Sequence, residues 1–217
     1  MIRTLTFALL AAAAAQPAMA EAGDFQVRLR GILVAPNEKS GDVLPAFPGE
    51  KVSVDNSFMP EIDFTYFVSD HVSLELIAAT TKHTASGRTG TTGSIGALAS
   101  TWVLPPTLTV QYRPIAKGKV RPYVGAGVNY TLFYSEDASA GLERAVGATR
   151  VNLKSSLGWA AQAGVDIDLN DKIFLNLDVK YIDIDTTARL ATTAIGTQRV
   201  RLNLDPFVFG AGLGFRF

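Results

Sequence analysis

Eight stretches of this chain alternate apolar and polar side chains with a period of two residues, and this pattern restricts the fold more than any other feature. A period of two is typical of β-strands, whose successive side chains point to opposite faces. Each stretch is close to the roughly 9 to 11 residues that a tilted strand needs to cross a bilayer. The stretches are residues 25–34, 58–67, 72–79, 104–113, 120–133, 157–169, 173–182 and 207–217. They predict an all-β fold, an eight-stranded antiparallel transmembrane β-barrel.

Composition agrees with strands and turns rather than helices. The chain holds 19 Gly and 10 Pro, and after residue 20 no segment approaches the 18 or more consecutive apolar residues expected of a transmembrane helix. The absence of Cys excludes a disulfide scaffold, a thiol nucleophile and a Cys-ligated metal. The 20 basic and 20 acidic residues balance, which argues against a nucleic-acid partner.

The first twenty residues differ from the rest of the chain. Arg3 precedes an apolar run at residues 5–15, and the segment closes on Ala18-Met19-Ala20. This pattern predicts a secretory signal peptide, residues 1–20, because the apolar run is too short to span a bilayer and small residues mark the cleavage site. Residues 21–217 are then expected to form one outer-membrane barrel domain, since dividing the strands between two domains would leave open sheet edges in lipid.

The connections between the stretches alternate in length. Tight turns are expected near residues 69–70, 116–119 and 170–172, and long polar loops at 35–56, 80–102, 134–154 and 184–199, with a short helix within 138–146. Short periplasmic turns and four longer extracellular loops are the usual asymmetry of such barrels. This asymmetry places both ends of residues 21–217 in the periplasm.

Parity alone leaves open which face points outward, since a soluble barrel of the lipocalin type would turn its apolar face inward. Glycines share the polar face, and small residues fit the narrow interior of eight strands. These are Gly125, Gly127, Gly164, Gly210, Gly212 and Gly214. The last stretch places Phe215 and Phe217 on its apolar face and ends in an aromatic residue, as does the signal read by the outer-membrane assembly machinery. We therefore expect that machinery, the bilayer and outer-membrane lipids as partners, in the outer membrane of a Gram-negative bacterium.

The inward face changes character along the barrel. Its lower part mixes both signs of charge, and we expect the charges to pair and plug the lumen because an unpaired buried charge costs several kcal/mol. The plug residues are Arg28, Arg30, Glu61, Asp63, Glu75, Gln111, Arg121, Asp166, Asn176, Asp178 and Lys180. Near the external rim the same face turns apolar and either lines a hydrophobic funnel or fills space. The rim residues are Ile32, Val34, Met59, Phe133 and Ile182.

Few residues are suited to catalysis. His71 lies beside a periplasmic turn and His83 in an external loop, so we expect both to be solvated, on opposite sides of the membrane and without a Ser or Asp partner in the lumen. Glu61 and Asp63 share a strand face, but ion pairing explains them. No phosphate loop, His-rich metal motif or cofactor fingerprint occurs. The sequence predicts no enzyme, no metal site and no cofactor.

Motifs across nearly the whole of residues 21–217 make the chain resemble the OmpW family of outer-membrane proteins. The motifs are VR at 27–28, VAP at 34–36, LPPTLT at 104–109, QY at 111–112, PYVGAGVNYT at 122–131, GVD at 164–166, YIDIDTTA at 181–188, DP at 205–206 and the terminal FRF. The resemblance implies a barrel with a narrow, partly apolar lumen that passes small hydrophobic molecules across the outer membrane. Some members are phage or bacteriocin receptors, so a sealed structural or receptor barrel is the alternative. Residues 35–56 and 80–102 depart from the family pattern.

Prolines interrupt the predicted strands at Pro105, Pro106 and Pro206, and each removes a donor from the strand ladder. They mark either bulges or an opening in the wall. The resemblance implies lateral release of substrate near Pro105 and Pro106, and Pro206 is a second candidate, for which a bulge is an equal explanation.

Overall fold

The computed structural model describes residues 22–217, so the predicted signal peptide and its cleavage before residue 21 lie outside the described residues. In chain order the strands are β1 (Phe25–Ala35), β2 (Lys39–Ser40), β3 (Val52–Val54), β4 (Ser57–Phe67), β5 (Val72–Ala79), β6 (Thr81–Gly87), β7 (Ala97–Leu104), β8 (Thr107–Tyr112), β9 (Val120–Ala138), β10 (Thr149–Leu153), β11 (Ser156–Asp168), β12 (Ile173–Ile182), β13 (Asp185–Thr192), β14 (Gly196–Asn203) and β15 (Phe207–Arg216). The helices are α1 (Gly90–Ile95) and α2 (Ala140–Val146). Within residues 22–217 neither helix is long and apolar enough to cross a membrane.

Eight strands close into a barrel in the order β1-β4-β5-β8-β9-β11-β12-β15, and β15 pairs with β1 again. Every pair in this ring is antiparallel. Sequential strands therefore pair with their neighbours and leave no open edge in the ring, as a bilayer requires. The predicted eight-stranded barrel is confirmed, with strand bounds near the predicted ones except in the fourth stretch.

The apolar face of the barrel points outward. Leu29, which lies opposite Leu213 and Ile62 in the register, is 54% exposed, whereas the neighbouring Arg28 and Arg30 are buried. A Cβ at Gly212 would stand 2.0 Å from the carbonyl oxygen of Leu29, so only glycine fits that inward position. The lipocalin-type alternative is thereby ruled out.

Aromatic rings form a belt at the outer end of the outward face. The ring centroid of Trp159 lies 5.1 Å from that of Tyr181, which lies 5.4 Å from that of Phe207; on β7 and the neighbouring strand β9, Trp102 stacks on Tyr134 at 6.4 Å. Aromatic residues prefer the boundary between hydrocarbon and water. The belt therefore marks the external membrane surface.

The four long connections occur where they were predicted, but they are not wholly irregular and polar: they contain strands and two short helices. Strands of these connections continue the wall above the belt: β7, β6 and β3 follow the upper end of β9, and β10, β13, β14 and β2 form a second sheet. We call this part the extension. Alternate residues of its strands bury an apolar core of their own, including Val52, Leu98, Leu190, Val200 and Leu202, and this burial explains why the segments fold.

The two short helices close the extension. α2 begins after Ser139, whose hydroxyl accepts a hydrogen bond from the Leu142 amide, and buries Leu142 and Val146 in the extension core. It lies within the predicted segment 138–146. α1 is held by Glu50, whose carboxylate accepts hydrogen bonds from the Thr91 and Thr92 amides at 2.9 and 2.7 Å. Hydrogen bonding from Thr92, first from its side chain and then from its amide, lowers the pKa of Glu50.

The fourth predicted stretch, 104–113, is not one strand. β7 ends at Leu104 and β8 begins at Thr107, with Pro105 and Pro106 between them. β7 belongs to the extension and β8 to the barrel. Two consecutive residues without amide hydrogens explain the interruption.

Candidate functional site

Arg28 is the centre of the polar plug in the lower lumen. It is fully buried, and its guanidinium donates at 2.9 Å each to Asp63, Thr65 and Glu75. Asp166 lies at 3.5 Å. β1, β4, β5 and β11 supply these groups because inward parity brings alternate residues of each strand to one level of the lumen. Four strands are thus tied across the barrel through one side chain.

The upper level of the plug is built around Arg30. Its guanidinium lies 2.5 Å from Glu61 and 2.8 Å from Asp63, and it donates to the Asn176 side-chain oxygen at 3.1 Å. Lys180 pairs with Asp178 and lies 3.7 Å from Glu61. Each charge at this level therefore has a partner of opposite sign.

All eleven predicted plug residues lie buried in the lumen. Others that share the inward parity join them and were not singled out in the sequence. These are Gln26, Thr65, Arg113, Tyr123, Gln162 and Arg216. Only strand parity could have identified them in the sequence. Residue type alone would not have placed Tyr123 among charged side chains, but its position in β9 does.

An apolar cavity lies directly above the plug and rises into the extension. About 1300 Å³ there, including space open to solvent, is free of protein atoms. A barrel of eight strands leaves little room between its side chains, so the space is narrow and suits slender molecules. Its lining is mostly apolar, with Glu61 and Lys180 at the end next to the plug. The other polar lining residues are Thr81, His83, Ser100, Thr101 and Thr107.

The cavity brings together four of the five predicted rim residues, Ile32, Val34, Phe133 and Ile182. Met59 lies opposite Ile32 in the register and is half-buried, but it does not line the cavity. The sequence did not indicate the upper lining, which belongs to the extension. That lining includes Val43, Leu98, Val151, Leu190, Val200 and Leu202.

His83 is buried against this cavity, and the expectation that it is solvated was wrong. Its ring nitrogens lie 2.8 Å from the carbonyl oxygen of Asp55 and 3.0 Å from the hydroxyl of Thr81. Burial lowers the pKa of His83, although the Asp55 carbonyl and carboxylate oppose the shift. His71, in contrast, is exposed at the other end of the barrel, as predicted.

The wall beside the cavity is interrupted at Pro105 and Pro106. The ladder of β5 with β8 ends at Ile77 opposite Thr107, and the ladder of β6 with β7 begins only at Thr81 opposite Val103. Residues 78–80 and 104–106 lie between the two ladders. On the other side Asn129 of β9 donates to the carbonyl oxygens of both prolines, at 3.1 and 3.3 Å. The interruption therefore faces β5 and β6, and Pro105 and Thr107 there line the cavity.

The second proline break, at Pro206, is bridged. The Ile182 amide donates to the Pro206 carbonyl at 3.2 Å and the Leu204 amide to the Ile184 carbonyl at 2.8 Å. Asp205 adopts a positive φ of 38°, and its carboxylate accepts a hydrogen bond from the Ile184 amide. This geometry is that of a bulge without an opening in the wall. It supports the bulge rather than the lateral exit as the explanation of Pro206.

Three carboxylates meet on the outer wall near this bulge. Oxygens of Asp183, Asp185 and Asp205 lie within 4.8 Å of one another. Partial burial, followed by the charges of Asp185 and Asp205, raises the pKa of Asp183. Asp185 also accepts a hydrogen bond from the Asn203 side chain at 2.5 Å. The cluster has the ligand type for a hard cation, but the structure offers no second sign of one, and the absence of a metal site stays a prediction.

Comparison with known proteins identifies relatives along almost the whole chain. A model of the OmpW family matches residues 21–217. The Outer membrane protein W of Escherichia coli strain K12 is 39% identical over 198 residues, which cover 91% of this chain and 90% of the relative. The dibenzothiophene metabolism operon protein PahQ of Pseudomonas aeruginosa is 31% identical over 178 residues, or 78% and 76% of the two chains.

A solved structure agrees with these sequence matches. The crystal structure of the outer membrane protein OprG from Pseudomonas aeruginosa superposes with a TM-score of 0.85 at 33% identity, over 92% of this chain and 98% of that chain. These relatives are outer-membrane barrels rather than members of a catalytic family, and they place this barrel in the outer membrane of a Gram-negative bacterium. The resemblance in the sequence motifs is confirmed, and the chain belongs to the OmpW family.

Proposed function

We propose that this barrel takes up small, slender hydrophobic molecules from outside the cell and releases them sideways into the membrane. The apolar cavity carries the proposal because it joins the extension to the barrel, has a mostly apolar lining and touches the wall break at Pro105. A relative named for an operon of dibenzothiophene metabolism supports the substrate class, since dibenzothiophene is a small apolar aromatic molecule.

The plug opposes a straight route to the periplasm. Below Glu61 and Lys180 an apolar molecule would meet Arg28, Asp63 and Glu75, all fully buried and paired. Passing them requires breaking those pairs or desolvating them against the solute, at a cost of several kcal/mol. A lateral exit avoids this barrier.

The wall break offers that exit. Between the ladders that end at Ile77 and begin at Thr81, Thr80 makes two side-chain hydrogen bonds. Its hydroxyl donates to the Val103 carbonyl at 3.4 Å and lies 2.5 Å from the Tyr134 hydroxyl of β9. The exposed Ala78 beside the break is small, so little side-chain bulk obstructs it from the lipid side. A solute leaving here enters the bilayer without meeting the plug.

A sealed structural or receptor barrel is the second candidate function. The ion pairs of the plug favour it, because Arg28, Asp63 and Glu75 are fully buried in the lower lumen and paired with one another. In this case the apolar cavity is simply the space left where the extension meets the barrel.

Neighbouring residues of β5 offer a matched test of uptake. Ala79 faces the cavity and Ala78 faces outward. Ala79→Phe should fill the narrow space and lower uptake of a small fluorescent aromatic hydrocarbon by intact cells about tenfold or more, whereas Ala78→Phe should leave the cavity open. Equal uptake by both variants, with barrels folded, would reject transport and favour the receptor function.

The exit has its own test. The double substitution of Pro105 and Pro106 by Ala restores up to two ladder hydrogen bonds, each worth about 0.5–1.5 kcal/mol, so it should stabilise the barrel and slow uptake. Pro114→Ala, at an exposed residue after β8, is the control. Uptake at the wild-type rate by an intact double variant would refute lateral release but leave uptake standing.

A further inference from the structure

The outward face of the second sheet of the extension is strongly basic. Its strands β10, β13, β14 and β2 alternate side chains between the buried apolar core and this outer surface. The exposed basic residues of this face and its border are Lys39, Arg150, Lys154, Arg189, Arg199 and Arg201. We call this surface the basic face. It lies above the aromatic belt on the side of Trp159, Tyr181 and Phe207.

Cations outnumber carboxylates on the basic face. Arg189 lies directly opposite Arg199 in the β13–β14 register, an arrangement of like charges that destabilises a sheet. None of the six basic residues is in an ion pair within residues 22–217. Among the described residues of these four strands, Asp185 is the one carboxylate with this parity, and oxygens of Asp183 and Asp205 lie within 4.8 Å of it at the lower edge of the face. Such an arrangement is stabilised when an anion binds.

A polar depression lies at the lower end of the basic face. About 900 Å³ there, including space open to solvent, is free of protein atoms. Lys154 and Arg201 supply cations, Ser155 and Thr187 supply hydroxyl groups, and Asp185 adds one carboxylate, which accepts a hydrogen bond from Asn203. The two cations and the hydroxyl groups suit a phosphorylated sugar better than an apolar molecule.

The depression also adjoins the lipid-facing surface. Leu157, which lines its lower edge, is 76% exposed and lies two residues before Trp159 of the belt. Arg201 lies six residues before Phe207 of the belt, or about 20 Å along the strand path. With a strand tilt near 40° the cation stands roughly 15 Å above the membrane boundary, at the height of a glycolipid headgroup.

We propose that the basic face and its depression bind the phosphorylated sugar head of lipopolysaccharide, the glycolipid of the outer leaflet, while its acyl chains pack against Leu157 and the aromatic belt. An anionic head joined to apolar chains matches the order of surfaces along the wall: cations and hydroxyl groups above, aromatic and aliphatic side chains below. This lipid site is separate from the apolar cavity, and binding of lipopolysaccharide there does not depend on uptake of a solute.

The test compares two double variants of equal charge change in the full-length barrel. Lys154→Gln with Arg201→Gln removes both cations of the depression. Arg88→Gln with Arg144→Gln removes two exposed cations of the extension near α1 and α2, outside the basic face. Folding of each is verified by heat-modifiable mobility on gels, and binding of purified lipopolysaccharide to the barrel in neutral lipid discs is titrated at low and physiological salt.

We expect binding about 30-fold weaker in the depression variant, on the order of fivefold for each cation removed, and within about twofold of wild type in the control. Dephosphorylated lipopolysaccharide should bind wild type weakly, and inorganic phosphate should compete poorly. The proposal is overturned by equal losses in the two variants, by no loss in the first, or by unchanged binding of the dephosphorylated lipid. Equally tight binding to phosphatidylglycerol vesicles, with the same dependence on Lys154 and Arg201, would also overturn it in favour of a general anionic surface.

Discussion

Replacing Arg28 with Met tests how much the paired charges of the lower lumen stabilise the folded barrel. In the variant Asp63 keeps Arg30 at 2.8 Å and Asp166 keeps Arg113 at 2.6 Å. Glu75 loses its 2.9 Å ion-pair partner and retains Arg30 at 3.7 Å as a cation, together with neutral hydrogen bonds from Thr109 and Gln162. Removing one partner from a buried ion pair typically costs about 3–5 kcal/mol, because a buried charge is left uncompensated. We expect a loss of that size from the free energy of unfolding.

A double-mutant cycle identifies Glu75 as the carboxylate responsible. Glu75→Gln removes its charge, so adding it to Arg28→Met should cost about 1–3 kcal/mol less than the sum of the two single changes. Urea unfolding of the barrel in lipid vesicles, followed by the fluorescence of Trp102 and Trp159, gives the four free energies. Arg144→Met, at an exposed residue of α2, is the control and should fall within about 0.5 kcal/mol of wild type. Additivity of the two lumen substitutions, or a cost for Arg28→Met as small as that of the control, would refute the role of the pair.

Three further outcomes follow from the fold. Leu177→Arg, on the lipid-facing surface at mid-membrane, should lower the free energy of unfolding by about 2–4 kcal/mol, whereas Ala194→Arg in an exposed turn of the extension should change it by less than about 0.5 kcal/mol; equal costs would contradict the orientation of the faces. Deleting Phe217 should slow assembly in cells more than it destabilises barrels already inserted, as a comparison of folded yield with urea unfolding measures. Because burial lowers the pKa of His83 below its usual 6.5, the unfolded chain binds the proton more readily, so the extension should lose stability as the pH falls from about 7 to about 5; His83→Gln should remove that part of the pH dependence.

The barrel itself could be predicted from the sequence because one physical rule governs every membrane-spanning position. Residues facing lipid must be apolar and residues facing the narrow lumen must be polar or small, so parity is visible in each strand. Leu175, Leu177 and Val179 alternate with Asn176 and Asp178 in this way, and β12 has the predicted bounds. The same parity located the plug residues, although it did not reveal which carboxylate pairs with which guanidinium.

The extension could not be predicted because the relation between side-chain polarity and facing direction is the reverse of that in the membrane. Above the membrane boundary the inward residues are apolar and the outward ones polar, as in Ala188, Leu190, Val200 and Leu202 facing the core opposite an exposed Arg189. Judged by the parity of membrane strands, such segments look like polar loops. The upper lining of the cavity and the burial of His83 were missed for this reason.

The two proline breaks show why a missing donor does not by itself specify an opening. Both lie at the junction of barrel and extension, and both line the cavity through Pro105 and Pro206. At Pro206 the positive φ of Asp205 turns its carboxylate onto the Ile184 amide, and the ladder is bridged on both sides of the bulge. At Pro105 and Pro106 the carbonyls accept hydrogen bonds from Asn129 and Tyr130 of β9 and from the Thr107 hydroxyl, and none of these donors lies on β5 or β6. Whether a proline opens the wall therefore depends on which neighbouring strand supplies the compensating hydrogen bonds. In this barrel β9 supplies them, so the side of Pro105 and Pro106 that faces β5 and β6 is the weaker seam.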